Sequence, residues 1–85
     1  MVGKRRGAIL RRARPTKAGT LLRATRKKKG LVLREAADAT GLTWSGIGYV
    51  EKGRTVPTIK TCYLLAKVYR ISFSKLIMAV LEDEL

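Results

Sequence analysis

The chain consists largely of short stretches with helical periodicity, each preceded by a hydroxyl residue or followed by a glycine. None of these stretches is long enough to predict a long helix or strand. Gly30, Gly41 and Gly53 each follow such a stretch, and Thr43 and Thr58 each precede one. Threonine just before the first turn and glycine just after the last are common boundary residues of α-helices. Strand-type alternation is weak throughout. The chain is therefore predicted to be all-α, with five short helices.

The same boundary signals predict where each helix lies. Thr16 is expected to open the first helix, and either Ser72 or Ser74 the fifth. Residues 1–16 sustain no apolar period, so they are predicted to form a flexible basic arm, and residues 17–85 the folded domain. The helices are predicted over about 17–29, 33–40, 44–51, 59–69 and 73–83.

Positive charge is concentrated towards the N-terminus. The chain has 19 Lys and Arg residues against 6 Asp and Glu, and residues 1–30 hold 12 of the basic residues and none of the acidic ones. A basic segment of this density predicts a polyanionic partner, either nucleic acid or an anionic membrane surface. The membrane is the weaker alternative, because no broad exposed apolar face accompanies the basic residues.

Targeting signals are not evident in the sequence. The longest apolar run near the N-terminus is Ala8–Leu10, which is too short for a secretory leader, and no segment approaches the length of a membrane span. A mitochondrial presequence is also basic and acid-poor, but it is usually rich in serine, and residues 1–30 contain none. A cytoplasmic, nucleoid-associated protein is expected.

Residues suited to catalysis or metal binding are scarce. The chain has no histidine and one cysteine, Cys62, and its acidic residues are scattered or clustered at positions 82–84. Neither a nucleophile–base pair nor a metal site is evident, so we expect no enzymatic activity, no metal and no cofactor. Cys62 falls on the apolar stripe of the fourth helix and is predicted to lie in the core.

Gly46-Ile47-Gly48 superficially matches the start of a phosphate-binding glycine loop. The third glycine of that motif would fall at position 51, which is Glu51, and no strand precedes it, so a dinucleotide site is excluded. Two short helices joined at Gly41, where the turn requires a positive φ, instead match a helix-turn-helix. We hypothesise that Gly46 and Gly48 let the second of these helices lie close to DNA.

Residues 18–77 resemble the Cro/phage-repressor type of helix-turn-helix domain, also called XRE-like. The resemblance is carried by RKKKGLVLREAADATGLTWSGIGYVEKGRTVPTIKTCYLLAKVY (residues 26–69), in which the family's anchor positions fall in register without a gap. It implies a five-helix repressor-like domain with the helix over about 44–51 in the major groove of DNA.

The resemblance also implies a role for individual residues. Trp44, Ser45 and Tyr49 would face base edges, together with the backbone at Gly46 and Gly48. The family's ion pair between the first helix and the recognition helix would be formed by Arg26 and Glu51. Trp44 and Leu33 stand where the family commonly has glutamine, which predicts sparse amide readout of bases. The sugar-phosphate backbone would be contacted by Leu33 (through its amides), Thr43, Lys52, Arg54 and Thr55.

Two further surfaces are expected to contribute. The arm's basic residues are predicted to follow the DNA backbone or enter the minor groove, with a merely solvated tail as the alternative: Lys4, Arg5, Arg6, Arg11, Arg12, Arg14 and Lys17. The apolar face of the fifth helix is predicted to be partly core and partly a homodimer interface: Phe73, Leu76, Ile77, Val80 and Leu81. The acidic residues 82–84 would aid solubility or contact the other subunit.

A sequence-specific transcriptional regulator of double-stranded DNA, repressor- or Cro-like and borne by a phage or mobile element, is the leading interpretation. Two alternatives remain open: a basic RNA- or ribosome-associated adaptor of the bridging-factor type, and an architectural DNA binder with little sequence preference. No small-molecule ligand is evident.

Overall fold

A computed structural model describes residues 10–85 of the protein, and its regular structure consists of five α-helices. Residues 10–85 contain no strand, so the prediction of an all-α fold is confirmed. Lys4, Arg5 and Arg6 of the predicted arm lie outside the described residues. The helices are α1 (Lys17–Lys28), α2 (Leu33–Thr40), α3 (Trp44–Glu51), α4 (Ile59–Tyr69) and α5 (Phe73–Glu84), each within about a residue of its predicted bounds.

Local side-chain caps begin four of the helices. The hydroxyl of Thr16 accepts from Gly19 N at 2.9 Å, and that of Thr43 accepts from Gly46 N at 3.1 Å. Thr58 and Ser72 cap α4 and α5 in the same way, so the fifth helix begins after Ser72 and not after Ser74. Because each cap satisfies an amide that has no partner inside the helix, these residues set the helix starts.

The core is formed by one apolar stripe from each helix. Its largest fully buried side chains are Tyr69, Leu22, Ile47, Leu65 and Leu76, together with Cys62, whose predicted place in the core is confirmed. Leu76 is 0% exposed within a single chain, because it points from α5 towards α1 and α4. Its assignment to a dimer interface was wrong, since a residue buried in its own chain offers no surface to another.

A buried phenol lies beside the helix contact that positions α3. The side chain of Tyr69 is fully buried, and its hydroxyl has no hydrogen-bond partner among residues 10–85. Burial raises the pKa of Tyr69 to about 12, and the negative charge of Glu51 adds to the shift. Tyr69 is therefore neutral at ordinary pH and acts as a packing residue.

Gly19 allows α1 to cross very closely over the end of α3. A Cβ atom at this position would lie 2.6 Å from the backbone oxygens of both Val50 and Glu51. Such distances are well inside van der Waals contact. The missing side chain of Gly19 thus sets how closely the C-terminal end of α3 packs against the N-terminal half of α1.

Residues 10–16, here called the strap, pack against the body of the protein. Arg11 N donates to Arg54 O at 2.7 Å, and Arg14 N donates to Lys52 O at 3.0 Å. This differs from the flexible arm expected over residues 1–16. The physical reason is that the backbone groups of the strap find partners in the loop that follows α3.

The part of the chain that the structure describes contains no helix long and apolar enough to span a membrane. Nor does it contain a cluster of three or more side chains suited to holding a metal ion.

Candidate nucleic-acid interface

Helix α3 stands on the surface as a ridge with its apolar side turned inward. Ile47 and Val50 are buried, which fixes the rotation of the helix about its own axis. Trp44 is 55% exposed at the start of the ridge, and Ser45 and Tyr49 are half-buried along one flank. Indole, hydroxyl and phenol groups are thereby presented together on the outer side of α3.

A basic cleft of about 750 Å³ lies on one side of this ridge, between α1, the strap and α3. Arg23 and Lys27 project into its wall from successive turns of α1, and Arg14 and Lys52 line it from the strap and the loop. Apolar groups at its base include Ala24, Leu33 and Gly48. The cleft is therefore a cationic trough beside α3, wide enough for a phosphate group.

Arg23 and Lys27 are contact candidates that the sequence does not predict. They lie four residues apart on a helix without acidic neighbours, a pattern that signals only a shared basic face. That this face lies beside the start of α2 and the C-terminal half of α3 follows from the packing of α1, which periodicity does not reveal.

A second groove of about 420 Å³, here called the hydroxyl groove, lies on the other side of α3 and is lined by hydroxyl-bearing side chains among apolar ones. Ser45 and Tyr49 form its α3 side, and Leu10 of the strap reaches its edge. Its threonines include the caps of α3 and α4, so two helix starts open towards it: Thr43, Thr55, Thr58 and Thr61. Neutral donors here can serve phosphate or base edges without adding charge.

Arg54 is held in place on the flank of α3. Its guanidinium carbon lies 5.6 Å from the centre of the Tyr49 ring, a cation–π distance. Its Nε donates to Arg11 O at 3.0 Å. Of the predicted backbone contacts, Lys52 is exposed next to it, Thr55 is half-buried, and Arg54 itself connects α3 to the strap.

The structure brings Arg26 and Glu51 together in a bidentate ion pair. Arg26 Nε and Nη2 donate to the two carboxylate oxygens at 2.7 and 2.9 Å, and Nη1 donates to Leu31 O at 2.8 Å. The side chains are only 10% and 4% exposed. The hydrogen bonds that Arg26 donates to Glu51 raise the pKa of Arg26, so the pair stays ionised and ties the end of α3 to α1.

Two of the three arginines of the strap, and Lys17 beside it, are paired with carboxylates of the same chain. Arg11 donates two hydrogen bonds to Glu84, Arg14 lies 3.6 Å from the same carboxylate, and Lys17 pairs with Glu82 at 2.9 Å. Arg12 remains exposed. Of the predicted phosphate contacts in this segment, Arg11, Arg14 and Lys17 are therefore paired with carboxylates, and Arg12 is exposed.

The two glycines of α3 are expected to differ when replaced by alanine. A Cβ at Gly48 would meet Leu33 Cδ1 at an ordinary 3.5 Å, so Gly48→Ala should stabilise the free protein by about 0.5–1 kcal/mol through helix propensity. A Cβ at Gly46 would lie 2.8 Å from the capping oxygen of Thr43, so weakening of the cap should cancel this gain in Gly46→Ala. Urea denaturation of both variants measures the difference.

Both substitutions are expected to weaken binding to duplex DNA, because each adds a methyl group on a helix that approaches the duplex closely. Fluorescence anisotropy with a labelled duplex measures this effect. Affinity that rises in step with stability would contradict the close approach of the α3 backbone.

A family model described as helix-turn-helix matches residues 22–76. The HTH-type transcriptional regulator PuuR of Escherichia coli (strain K12) is 40% identical over 57 residues, which are 67% of this chain but 31% of the relative. The chain thus spans less than half the length of that relative.

Two solved structures are similar over most of the described helices. The restriction-modification controller protein C.AhdI of Aeromonas hydrophila has a TM-score of 0.68 and 33% identity, covering 72% of this chain and 92% of that one. The master regulator for biofilm formation SinR, solved in complex with DNA, has a TM-score of 0.65 and 28% identity, covering 71% and 97%. Each is a regulator built on the same helical arrangement.

Proposed function

Because this chain belongs to the helix-turn-helix family, we propose that it is a sequence-specific regulator of transcription that binds double-stranded DNA. The observation that carries the proposal is the exposed ridge of α3 with the basic cleft beside it. An α-helix fits the major groove, and cations on its flank can meet the phosphates that border the groove. With this role we expect the protein to act at the nucleoid and to catalyse no reaction.

We infer that Trp44, Ser45 and Tyr49 read the bases. Trp44 can contact the methyl group of thymine, and Ser45 and Tyr49 can donate to or accept from several base edges. With no amide side chain on the ridge, discrimination rests on a few hydroxyl contacts and on the fit of an aromatic surface in the groove. The backbone at Gly46 and Gly48 would face the bases together with these three side chains.

We infer that phosphates are held on both flanks of α3. The basic cleft offers Lys52, Arg23 and Lys27, and Leu33 at the start of α2 also lines it, so the backbone amides of that helix start can meet a phosphate. The hydroxyl groove offers Thr43 and Thr55 on the opposite flank. Two bordering strands of the major groove could thus be contacted at once.

The cleft predicts a measurable salt dependence. A double variant Arg23→Ala with Lys27→Ala should weaken binding to all duplexes. The slope of log affinity against log salt concentration should become less negative by about 1.8, because each phosphate contact contributes about 0.9 to this slope. The matched control is Lys67→Ala with Lys75→Ala, which removes the same charge from the exposed surfaces of α4 and α5. Equal changes in slope for both variants would show that the cleft holds no phosphate.

We also infer that the protein forms a homodimer through the outer face of α5. Phe73, Met78 and Leu81 are 39%, 53% and 53% exposed, and Ile77 and Val80 are half-buried beside them. Tyr63 of α4 extends this surface by packing edge-on against Phe73, with ring centres 6.2 Å apart. A two-fold interface here could place two α3 helices about 34 Å apart, one turn of DNA.

Selection from a random duplex pool at near-physiological salt, with competitor RNA in excess, tests the proposed function. We expect a two-fold symmetric sequence motif to be recovered, and the variant Trp44→Ala with Tyr49→Ala to lose the motif while retaining its fold. Enrichment without any motif would favour an architectural DNA binder. If the competitor RNA displaced the duplexes from the protein, an RNA-associated adaptor would be favoured.

A further inference from the structure

The acidic last turn of α5 (Glu82, Asp83 and Glu84) holds the chain at the start of α1. Asp83 accepts from the backbone amides of Lys17 at 2.7 Å and Ala18 at 3.0 Å. The first turn of α1 has no acidic residue of its own. The carboxylate of Asp83 therefore supplies, from the other end of the fold, the negative charge that a helix start favours.

Glu84 holds the strap itself. Its two carboxylate oxygens accept from Nη1 and Nη2 of Arg11 at 3.2 and 2.8 Å, and Arg14 lies 3.6 Å away. The hydrogen bond and the charge of Arg11 lower the pKa of Glu84, so this carboxylate is ionised at neutral pH. A single exposed pair of this kind contributes little, but here the contacts of Glu84 close a network.

The opposite side of the strap is bonded to the loop after α3. Arg11 exchanges two hydrogen bonds with Arg54, and Arg14 N donates to Lys52 O. Gly53 lies between these partners with φ +74°, and any Cβ there would overlap the backbone oxygen of Arg14. The strap thus lies between α5 and the loop, and it approaches Gly53 so closely that a side chain at position 53 would not fit.

The contacts continue from the loop into the ridge. Arg54 N donates to Tyr49 O at 2.9 Å, and its guanidinium carbon lies 5.6 Å from the centre of the Tyr49 ring. A continuous series of contacts therefore runs from Glu84 through Arg11 and Arg54 to Tyr49.

We propose that Glu84 is a positioning residue for DNA recognition: by clamping the strap against the loop, it fixes how Arg54 and Tyr49 are presented to the duplex. This rests on the proposed function, because it assigns a specificity role within the same DNA-binding surface. Glu84 touches no DNA in this scheme. It acts through Arg11 and the strap.

The clamp has two opposing consequences for binding. Arg11 and Arg14 are occupied by Glu84, which reduces the charge offered to phosphates and so lowers non-specific affinity. A fixed Tyr49 loses less conformational freedom on binding its base, which raises discrimination between sequences. Removing Glu84 therefore increases non-specific affinity and decreases the preference for the selected site.

Glu84→Ala tests the clamp, with Glu82→Ala as a matched control in the same helical turn. Both variants remove one negative charge, but among residues 10–85 Glu82 pairs with Lys17 alone, outside the strap. In the free protein, the hydrogen exchange of the Arg11 and Arg14 amides should accelerate about tenfold in Glu84→Ala and change little in the control. The preference for the selected duplex over a scrambled one should fall roughly tenfold in Glu84→Ala alone, the worth of one good base contact.

The exchanged pair Arg11→Glu with Glu84→Arg keeps the net charge and restores opposite charges across the clamp. It should recover amide protection and most of the sequence preference. Equal amide exchange in the two single variants, or an equal loss of preference, would overturn the proposal. A wild-type protein that prefers no duplex would refute the proposed function instead, and this outcome is distinct because amide exchange is measured without DNA.

Discussion

Replacing Glu51 by alanine is expected to lower the free energy of unfolding by roughly 3–5 kcal/mol, the usual cost of breaking a buried ion pair from one side. The substitution leaves the guanidinium of Arg26, whose side chain is 10% exposed, without its carboxylate partner. Since small domains are stable by only about 5–15 kcal/mol, a large fraction of the variant should unfold in mild denaturant. Urea denaturation followed by circular dichroism measures the loss.

An exposed ion pair in the same protein provides the control. The side chains of Lys17 and Glu82 are 66% and 46% exposed, so Glu82→Ala should cost less than about 1 kcal/mol. Similar losses in the two variants would mean that the Arg26–Glu51 pair contributes no more than a surface contact. Replacing both Arg26 and Glu51 by methionine should recover most of the stability, because neither charge is then left buried alone.

Gly19→Ala is expected to destabilise the protein by about 2 kcal/mol, although alanine is the better helix former. The gain in propensity is about 1 kcal/mol, whereas overpacking against fixed neighbours commonly costs 1–3 kcal/mol and here involves two backbone oxygens and the cap of α1. The backbone of α3 has to move away from α1 to admit the methyl group. The recognition ridge should shift with it, so affinity for DNA should fall as well.

Gly48→Ala is the matched control for this effect, since it makes the same chemical change within a helix at a site with ordinary space. Thermal or urea denaturation should show opposite signs for the two variants. A gain in stability for Gly19→Ala would show that α1 and α3 can separate at negligible cost.

Helix boundaries and the candidate recognition helix could be predicted because local signals govern them. Thr16, Thr43 and Thr58 bond to amides three residues ahead, and Gly41 adopts its positive φ of 79° within its own turn. The buried positions Ile47 and Val50 follow from periodicity alone. The Arg26–Glu51 pair was anticipated through the family resemblance, since no local rule joins residues 25 positions apart.

Contacts between distant parts of the chain were decided by the tertiary structure. The bonds of Arg11 to Glu84 and of Lys17 to Asp83 and Glu82 join residues 65–73 positions apart, so the acidic residues 82–84, expected to aid solubility or to contact the other subunit, hold the strap and the start of α1 of their own chain. The sequence places Leu76 and Phe73 on the same apolar face of the fifth helix. In the fold Leu76 is fully buried, whereas Phe73 is 39% exposed.

The sequence by itself determined the class of fold, the bounds of the helices and the residues of α3, because these depend on interactions within a few residues of each other. The tertiary structure alone decided which surfaces meet: Arg23 and Lys27 beside α3, the close crossing at Gly19, and the strap between α5 and the loop. The physical reason is that packing brings together backbone and side chains whose separation along the chain leaves no periodic trace.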